Sequence, residues 1–103
     1  MPVTIKNGEK LITAFLEGEI DHHTAKTMRE SIDAAVVRMN PEVLRLDFSG
    51  VGFMDSSGVG LIMGRHRLIS QTGGRVEVVN VSANSLRMLR MAGLGRLGVK
   101  GIE

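Results

Sequence analysis

The 103-residue sequence contains no cysteine, tryptophan or tyrosine and only three phenylalanines. Without cysteine the chain cannot form disulfides, thiolate metal sites or a cysteine nucleophile. With so few aromatic side chains it lacks the stacking surfaces that usually hold single-stranded nucleic acid. No apolar run approaches the roughly 18 residues of a membrane span, and no basic and apolar leader opens the chain. We therefore expect a cytoplasmic protein with an aliphatic core, with neither a membrane nor nucleic acid as a direct partner.

The composition indicates one folded domain that spans residues 1–103. Hydrophobic residues make up 43% of the chain and the mean hydropathy is +0.09, which is unlike a disordered segment. Charge is unevenly distributed: residues 1–64 hold six Lys and Arg against nine Asp and Glu, whereas residues 65–103 hold seven against two. A solvated helix face explains the basic part most simply. An acidic partner surface is the alternative, and no nucleic-acid recognition motif accompanies the arginines.

Local patterns in the first half predict a hairpin, a helix and a strand. Asn7-Gly8 lies between two apolar stretches and is a strong signal for a β-hairpin. Apolar residues then recur every three or four positions over residues 25–39, which predicts an amphipathic helix with Asp21 as its candidate N-cap. Residues 43–48 alternate between apolar and polar side chains. We therefore expect a strand that is covered on one face and exposed to water on the other, followed by a turn.

The second half continues the alternation of helices and strands. We expect a helix over 56–72, a strand over 75–81, a short helix that begins at Ser82, and a short last strand within 99–102. Successive strand–helix–strand units favour parallel pairing with right-handed crossovers. The predicted fold is α/β: a small mixed β-sheet, formed by an N-terminal hairpin and parallel strands, with the helices packed mainly on one face.

The segment Gly50–Gly60 connects a predicted strand to a predicted helix, which is where α/β sheets tend to hold ligands and partners. Neither Ser56 nor Ser57 stands in the Gly-x-Ser-x-Gly pattern of a hydrolase nucleophile. The spacing Gly58-x-Gly60-x-x-x-Gly64 is one residue longer than a dinucleotide-binding fingerprint. Asp55 stands near the position of a receiver-domain phosphoacceptor, but no acidic pair follows the first predicted strand. Each of these enzyme or cofactor patterns is therefore incomplete.

Two interpretations of this segment remain. In the structural one, Asp55, Ser56 or Ser57 caps the helix. Gly60 and Gly64 would then form a flat stripe of this helix against the sheet. In the functional one, Ser56 is phosphorylated, because a phosphate at a helix N-terminus faces unpaired N–H groups and the positive end of the helix dipole. Phosphorylation adds about −1.5 to −2 charges at one point of the surface, which is a physical basis for a binding switch.

Two long motifs resemble those of a known family. Phe53–Arg65 resembles the signature of anti-sigma factor antagonists, which belong to the STAS-domain family. Gly18–Ala25 resembles the second hallmark of that family, the turn between the second strand and the first helix. Gly73-Gly74 and Met91–Leu94 also stand where the family would place them. The sequence DHHTA at Asp21–Ala25 is most similar to the sporulation-type antagonist involved in the control of sigma F.

The resemblance implies a non-enzymatic phosphoprotein that regulates transcription by partner switching. The unphosphorylated form would bind an anti-sigma factor that is also a GHKL-type serine kinase, and so free the sigma factor. That kinase would phosphorylate Ser56 with ATP and switch binding off, and a PP2C-type phosphatase would reverse the step. The resemblance implies no cofactor. The partner-binding residues would be Asp21, Asp55, Ser56, Ser57 and Gly58.

Other classes of function stay open at this point. A STAS-like module could instead bind a small ligand, such as a nucleotide or a lipid, within a larger assembly. Such a module would not need the Ser56 hydroxyl. A minimal enzyme that uses Ser56 or Ser57 is the third alternative. We expect no metal site at His22 and His23, because adjacent helix residues point about 100° apart and make poor joint ligands.

Overall fold

The structure, a computed structural model, describes residues 2–102, within which four strands form one mixed sheet that packs against three helices. In chain order the elements are β1 (Val3–Asn7), β2 (Leu11–Ile20), α1 (His22–Met39), β3 (Val43–Met54), α2 (Ser57–Ser70), β4 (Arg75–Val79) and α3 (Ala83–Met91). The strand order is β1-β2-β3-β4; β1 is antiparallel to β2, whereas β3 runs parallel to both β2 and β4. The predicted α/β fold with a mixed sheet is confirmed.

Turn and cap signals in the sequence mark real boundaries. The Gly8 N–H donates to the Leu11 carbonyl at 2.7 Å, and Lys10 has the left-handed φ of 62° that the tight hairpin requires. The sequence predicts a short helix that begins at Ser82; α3 begins at Ala83, and Ser82 is its N-cap, because its hydroxyl oxygen accepts the Ser85 N–H at 3.2 Å. A backbone turn at the hairpin and a side-chain cap at α3 therefore define these boundaries.

Strand β3 extends well beyond the residues 43–48 that the sequence pattern predicts. The expected turn after Phe48 is wrong, because β3 continues to Met54 and pairs with β2 as far as Ile20. Register shifts within this ladder break the period-two alternation on which the prediction depends. Gly50 permits the close pairing, since a Cβ at this position would lie 2.9 Å from the Leu16 carbonyl oxygen. The extension carries both strands to the two motif turns.

The helices pack on one face of the sheet, as the alternation over residues 43–48 predicts. Leu44, Leu46 and Phe48 are buried on this face, where the apolar sides of the helices cover them. The core is aliphatic apart from Phe48 and the methionines. Its fully buried side chains include Ile12, Leu16, Ile20, Met28, Ile32, Ile62, Ile69 and Leu89.

The opposite face of the sheet is polar, but the expected exposure to water is wrong at Asp47, which is only 8% exposed. Its Oδ1 accepts the Ser49 N–H at 2.9 Å, and its Oδ2 accepts the Asn80 side-chain amide at 3.1 Å. Burial raises the pKa of Asp47, but these hydrogen bonds outweigh burial and hold the pKa below its ordinary value. Asn80 has a left-handed φ of 58°, which ends β4 earlier than predicted.

The predicted last strand within 99–102 is wrong. Among these residues Lys100 alone forms a bridge to β4, through two hydrogen bonds of 2.9 Å. Gly98 and Gly101 flank it with φ of 103° and 94°, which are outside the range of an extended strand. The pairing therefore stops after one bridge.

Candidate functional site

The two motif turns follow neighbouring strands whose ends are paired. Ile20 at the end of β2 lies opposite Met54 at the end of β3, and the Asp55 N–H donates to the Ile20 carbonyl at 3.0 Å. Asp21 and Asp55 each come directly after one of these paired residues. The parallel pairing thus brings the predicted site residues to the same edge of the sheet, at the carboxyl ends of its strands.

Asp21 is the N-cap of α1. Its Oδ1 accepts the N–H groups of His23 and Thr24, each at 2.9 Å, and its own N–H donates to the Thr24 hydroxyl at 2.9 Å. The hydrogen bond from the Thr24 N–H, supported by that from His23, holds the pKa of Asp21 below its ordinary value. Within residues 2–102 no hydrogen bond reaches the second carboxylate oxygen, Oδ2. Asp21 therefore caps the helix with one oxygen and keeps the other available.

Asp55 is also the residue that caps α2. Its Oδ1 accepts the Ser57 N–H at 2.8 Å, and its carbonyl accepts the Gly58 N–H at 3.1 Å. Of the three residues that could cap by sequence, the structure thus selects Asp55. The Ser56 side chain makes no capping hydrogen bond and is exposed, whereas Ser57 is half-buried. Ser56 stands before the first helical residue with its hydroxyl in solvent.

Phe53 and Gly58 lie on either side of the turn that carries Ser56. Gly58 is buried, and a Cβ at this position would collide with the Met54 side chain, so only glycine fits without a shift. Phe53 pairs with Glu19 on β2 and is 56% exposed. The sequence analysis did not assign a role to Phe53 by itself, although it lies inside the motif.

A groove of about 710 Å³ runs between α1 and α2, beginning at the turn that carries Ser56. We call it the α1–α2 groove. Its lining consists of His22, His23, Ala25, Lys26 and Arg29 on α1 and Ser57, Gly60, Leu61, Gly64 and Arg65 on α2. The sequence analysis did not single out Lys26 and Arg29. Their spacing of three on a predicted helix, immediately after the DHHTA motif, is the signal that could have placed them on one face.

Gly60 and Gly64 face this groove, so the prediction that they pack against the sheet is wrong. A Cβ built at either position meets none of the described residues within 4 Å, and Gly60 is exposed. The spacing of four correctly places both glycines on one side of α2. It does not tell which side the sheet covers, and Leu61, Ile62 and Ile69 occupy that side instead.

An ion pair between the buried Arg65 and the half-buried Asp33 joins α2 to α1 beside the groove. Arg65 is 6% exposed, and its Nε lies 2.7 Å from Oδ1 of Asp33 on α1. Its Nη1 donates to the Leu61 carbonyl at 3.1 Å. Burial lowers the pKa of Arg65 and the carboxylate of Asp33 opposes this shift, and an arginine in such a pair stays charged. The pair therefore links α1 to α2.

Among residues 2–102 no three His, Asp or Glu side chains are grouped so that they could hold a metal ion. The rings of His22 and His23 lie 5.6 Å apart, edge to face. In the same part of the chain, no helix is long and apolar enough to cross a membrane. What this edge of the sheet offers is an exposed serine directly after the capping Asp55, the second capping aspartate at the neighbouring strand end, and a groove with exposed basic side chains.

Comparison with known proteins decides the family. The family model of the STAS domain matches residues 3–100. The chain belongs to the STAS-domain family. This STAS domain is 36% identical over 97 residues to the anti-sigma F factor antagonist of Paenibacillus polymyxa, an alignment that covers 94% of this chain and 83% of that protein. The predicted family resemblance is confirmed, and it extends to the anti-sigma factor antagonists.

Solved structures give the same result for the fold. The STAS domain superposes on the anti-sigma factor antagonist SpoIIAA in its unphosphorylated form with a TM-score of 0.81 and 30% identity, covering 91% of this chain and 83% of that one. It superposes on the Bacillus cell fate determinant SpoIIAA in the phosphorylated form with a TM-score of 0.74 and 30% identity, covering 91% and 86%.

Proposed function

We propose that this STAS domain is an anti-sigma factor antagonist that phosphorylation of Ser56 switches off. The unphosphorylated protein binds an anti-sigma factor that is also a GHKL-type serine kinase, and the sigma factor is released. The kinase transfers the γ-phosphoryl group of ATP to the Ser56 hydroxyl, which loses its proton, and ADP leaves. A PP2C-type phosphatase hydrolyses the phosphoserine. In this proposal residues 1–103 act in the cytoplasm as one regulatory binding domain, not as an enzyme.

The observation that carries the proposal is that Asp55, and not Ser56, caps α2. A kinase needs a hydroxyl that it can reach and that no local hydrogen bond occupies. Ser56 is exposed and does not cap α2, because the Asp55 carboxylate accepts the Ser57 N–H instead. Ser57 is half-buried and already lies in the first turn of the helix. The geometry therefore favours Ser56 over its neighbour as the phosphate acceptor.

The surroundings of Ser56 explain how a phosphate would change binding without unfolding the domain. The Asp55 carboxylate and carbonyl already accept the Ser57 and Gly58 N–H groups, so the phosphate would be tolerated by the positive end of the helix dipole and by its exposure to solvent. The carboxylates of Asp21 and Asp55 lie at the same edge of the sheet, so the phosphate would add charge of the same sign to an interface fitted to a neutral hydroxyl. Switching a complex off requires only a few kcal/mol of differential affinity.

Mapping the phosphate tests this function. The protein is incubated with the purified anti-sigma factor kinase of the same organism and ATP, and its peptides are examined by mass spectrometry. We expect a single phosphate on Ser56, the same product from Ser57→Ala, and no product from Ser56→Ala. A phosphate on Ser57, or no phosphate on the wild-type protein, would overturn the assignment.

A STAS module that binds a small anionic ligand, such as a nucleotide or a lipid headgroup, is the second candidate. The observation that favours it is the pair of exposed cationic side chains, Lys26 and Arg29, in the α1–α2 groove. The two candidates differ in what they require. Binding of a small ligand would persist in Ser56→Ala and would not depend on the kinase.

A further inference from the structure

Two glycines in α2 have no packing role among the described residues. Gly60 and Gly64 have ordinary helical backbones, and a Cβ at either one would extend into open space in the α1–α2 groove. Glycine inside a helix is destabilising relative to alanine, because it loses more backbone freedom on folding. Gly58 in the same helix is different, since a Cβ there would collide with Met54. What Gly60 and Gly64 provide is access: they let another chain approach the backbone of α2.

The α1 wall of the groove is cationic, because Lys26 and Arg29 are exposed on it. The charge of the buried Arg65 on α2 is balanced by its ion pair with Asp33. Among the described residues, none of those that line the groove is a carboxylate. Charge complementarity therefore favours an anionic occupant.

The length and position of the groove favour a polypeptide over a small anion. The lining extends over residues 57–65 of α2, about 12 Å at 1.5 Å per residue, which is the length of two helical turns. Ser57 lines one end, so the groove is continuous with the turn that carries Ser56. A partner that contacts Ser56 would therefore lie against the groove as well.

We propose that the α1–α2 groove binds an acidic segment of the anti-sigma factor. Carboxylates of that segment pair with Lys26 and Arg29, and its backbone or small side chains pack over Gly60 and Gly64. The inference rests on the proposed function and adds the chemistry of the partner surface to it. It also strengthens the switch, because a phosphate on Ser56 would stand at the end of a groove that holds an occupant of the same charge.

Calorimetric titration of the purified anti-sigma factor into charge variants tests the groove. We expect Lys26→Glu and Lys26→Gln to bind the anti-sigma factor roughly tenfold or more weakly than wild type, with the larger loss for Lys26→Glu and a smaller salt dependence of binding in both. Arg38→Glu is the matched control: Arg38 is also exposed on α1 but lies outside the groove, and this variant should bind within about twofold of wild type.

A second variant tests the open space. Gly60→Leu adds a side chain that projects into the groove while improving the helix-forming tendency at that position. We expect its melting temperature to equal or exceed that of wild type and its affinity for the anti-sigma factor to fall roughly tenfold. Stability would then be kept or increased while the affinity falls. If Gly60 were needed only for the fold, its replacement would lower the stability instead.

The outcomes separate this inference from the proposed function. If wild type binds the anti-sigma factor and phosphorylation of Ser56 releases it, but Lys26→Glu and Gly60→Leu bind like wild type, the groove proposal is overturned and the switch stands. If wild type does not bind, the proposed function fails and the inference fails with it. Inorganic phosphate and ATP are titrated separately by NMR. Saturable shifts confined to the groove at micromolar concentrations would identify a small-anion site and would also overturn the acidic-segment proposal.

Discussion

The Asp55 carboxylate forms a hydrogen bond with Ser57 and not with the adjacent Ser56: its Oδ1 accepts the Ser57 N–H at 2.8 Å. The Ser56 side chain forms no capping hydrogen bond. If Ser56 were the cap of α2, phosphorylation would disturb the helix end together with the binding surface. Because the neighbouring aspartate caps instead, charge at Ser56 can change binding while the helix keeps its start.

The first prediction concerns a phosphate mimic. Ser56→Asp should melt within a few degrees of wild type, since an acid at a helix N-terminus is favourable by about 0.3–1 kcal/mol. The same variant should lose most of its affinity for the anti-sigma factor, whereas Ser56→Ala should bind and resist inactivation by the kinase. Thermal melts and calorimetric titrations measure the two properties. A Ser56→Asp variant that binds as tightly as wild type would exclude charge as the cause of switching.

The second prediction separates the two roles of Asp21. Asparagine caps a helix about as well as aspartate, so Asp21→Asn should keep the wild-type melting temperature, whereas Asp21→Ala should lose about 1 kcal/mol of stability. If the free Oδ2 contacts a basic group of the partner, Asp21→Asn should weaken binding by about 2 kcal/mol, with a smaller loss at high salt. Normal binding by Asp21→Asn together with a destabilised Asp21→Ala would show that Asp21 is a cap and nothing more.

The third prediction uses two glycines of the same helix as controls for each other. Gly58→Ala should destabilise the domain by about 1–3 kcal/mol, because the new Cβ collides with the Met54 side chain. Gly60→Ala should stabilise it by about 0.5–1 kcal/mol, because its Cβ meets none of the described residues. Urea unfolding measures both changes. A loss of stability in Gly60→Ala would mean that this glycine is needed by the fold after all.

Much of the fold and part of the site could be predicted from short-range patterns. Asn7-Gly8 marks the hairpin and Asp21 caps α1, because both features depend on residues within four positions of each other. The spacing of four correctly predicts that Gly60 and Gly64 lie on the same side of α2. It does not predict whether that side faces the sheet or the groove. That depends on how the helix is rotated against the sheet, which local spacing does not determine.

Two strand boundaries were missed for a related reason. The β2–β3 ladder continues through register shifts and through Gly50, where the alternation of apolar and polar residues that reveals a strand is lost. The last strand was predicted from apolar residues at 99 and 102, both of which are buried, but positive φ at Gly98 and Gly101 limits the pairing to one bridge. Burial is visible in the sequence at these positions, whereas backbone conformation is not.

The fourth prediction concerns pH. The hydrogen bonds from Ser49 and Asn80 outweigh burial and hold the folded-state pKa of Asp47 below the ordinary value of about 3.9. Its stabilising contribution is therefore complete above that value and is lost as the pH falls through the folded-state pKa. Wild type should lose stability more steeply than Asp47→Asn between about pH 5 and about pH 2 in urea titrations. Parallel curves for wild type and Asp47→Asn would contradict the assigned shift.

The affinity of the anti-sigma factor for one preparation of the protein, measured before and after stoichiometric phosphorylation of Ser56, tests the switch most directly. We expect the unphosphorylated protein to bind, the phosphorylated protein to bind at least about a hundredfold more weakly, and PP2C-type phosphatase treatment to restore the first value. The two forms should melt within a few degrees of each other, because the cap of α2 belongs to Asp55. Equal affinities of the two forms, in a preparation whose phosphate is confirmed on Ser56, would contradict the proposed switch.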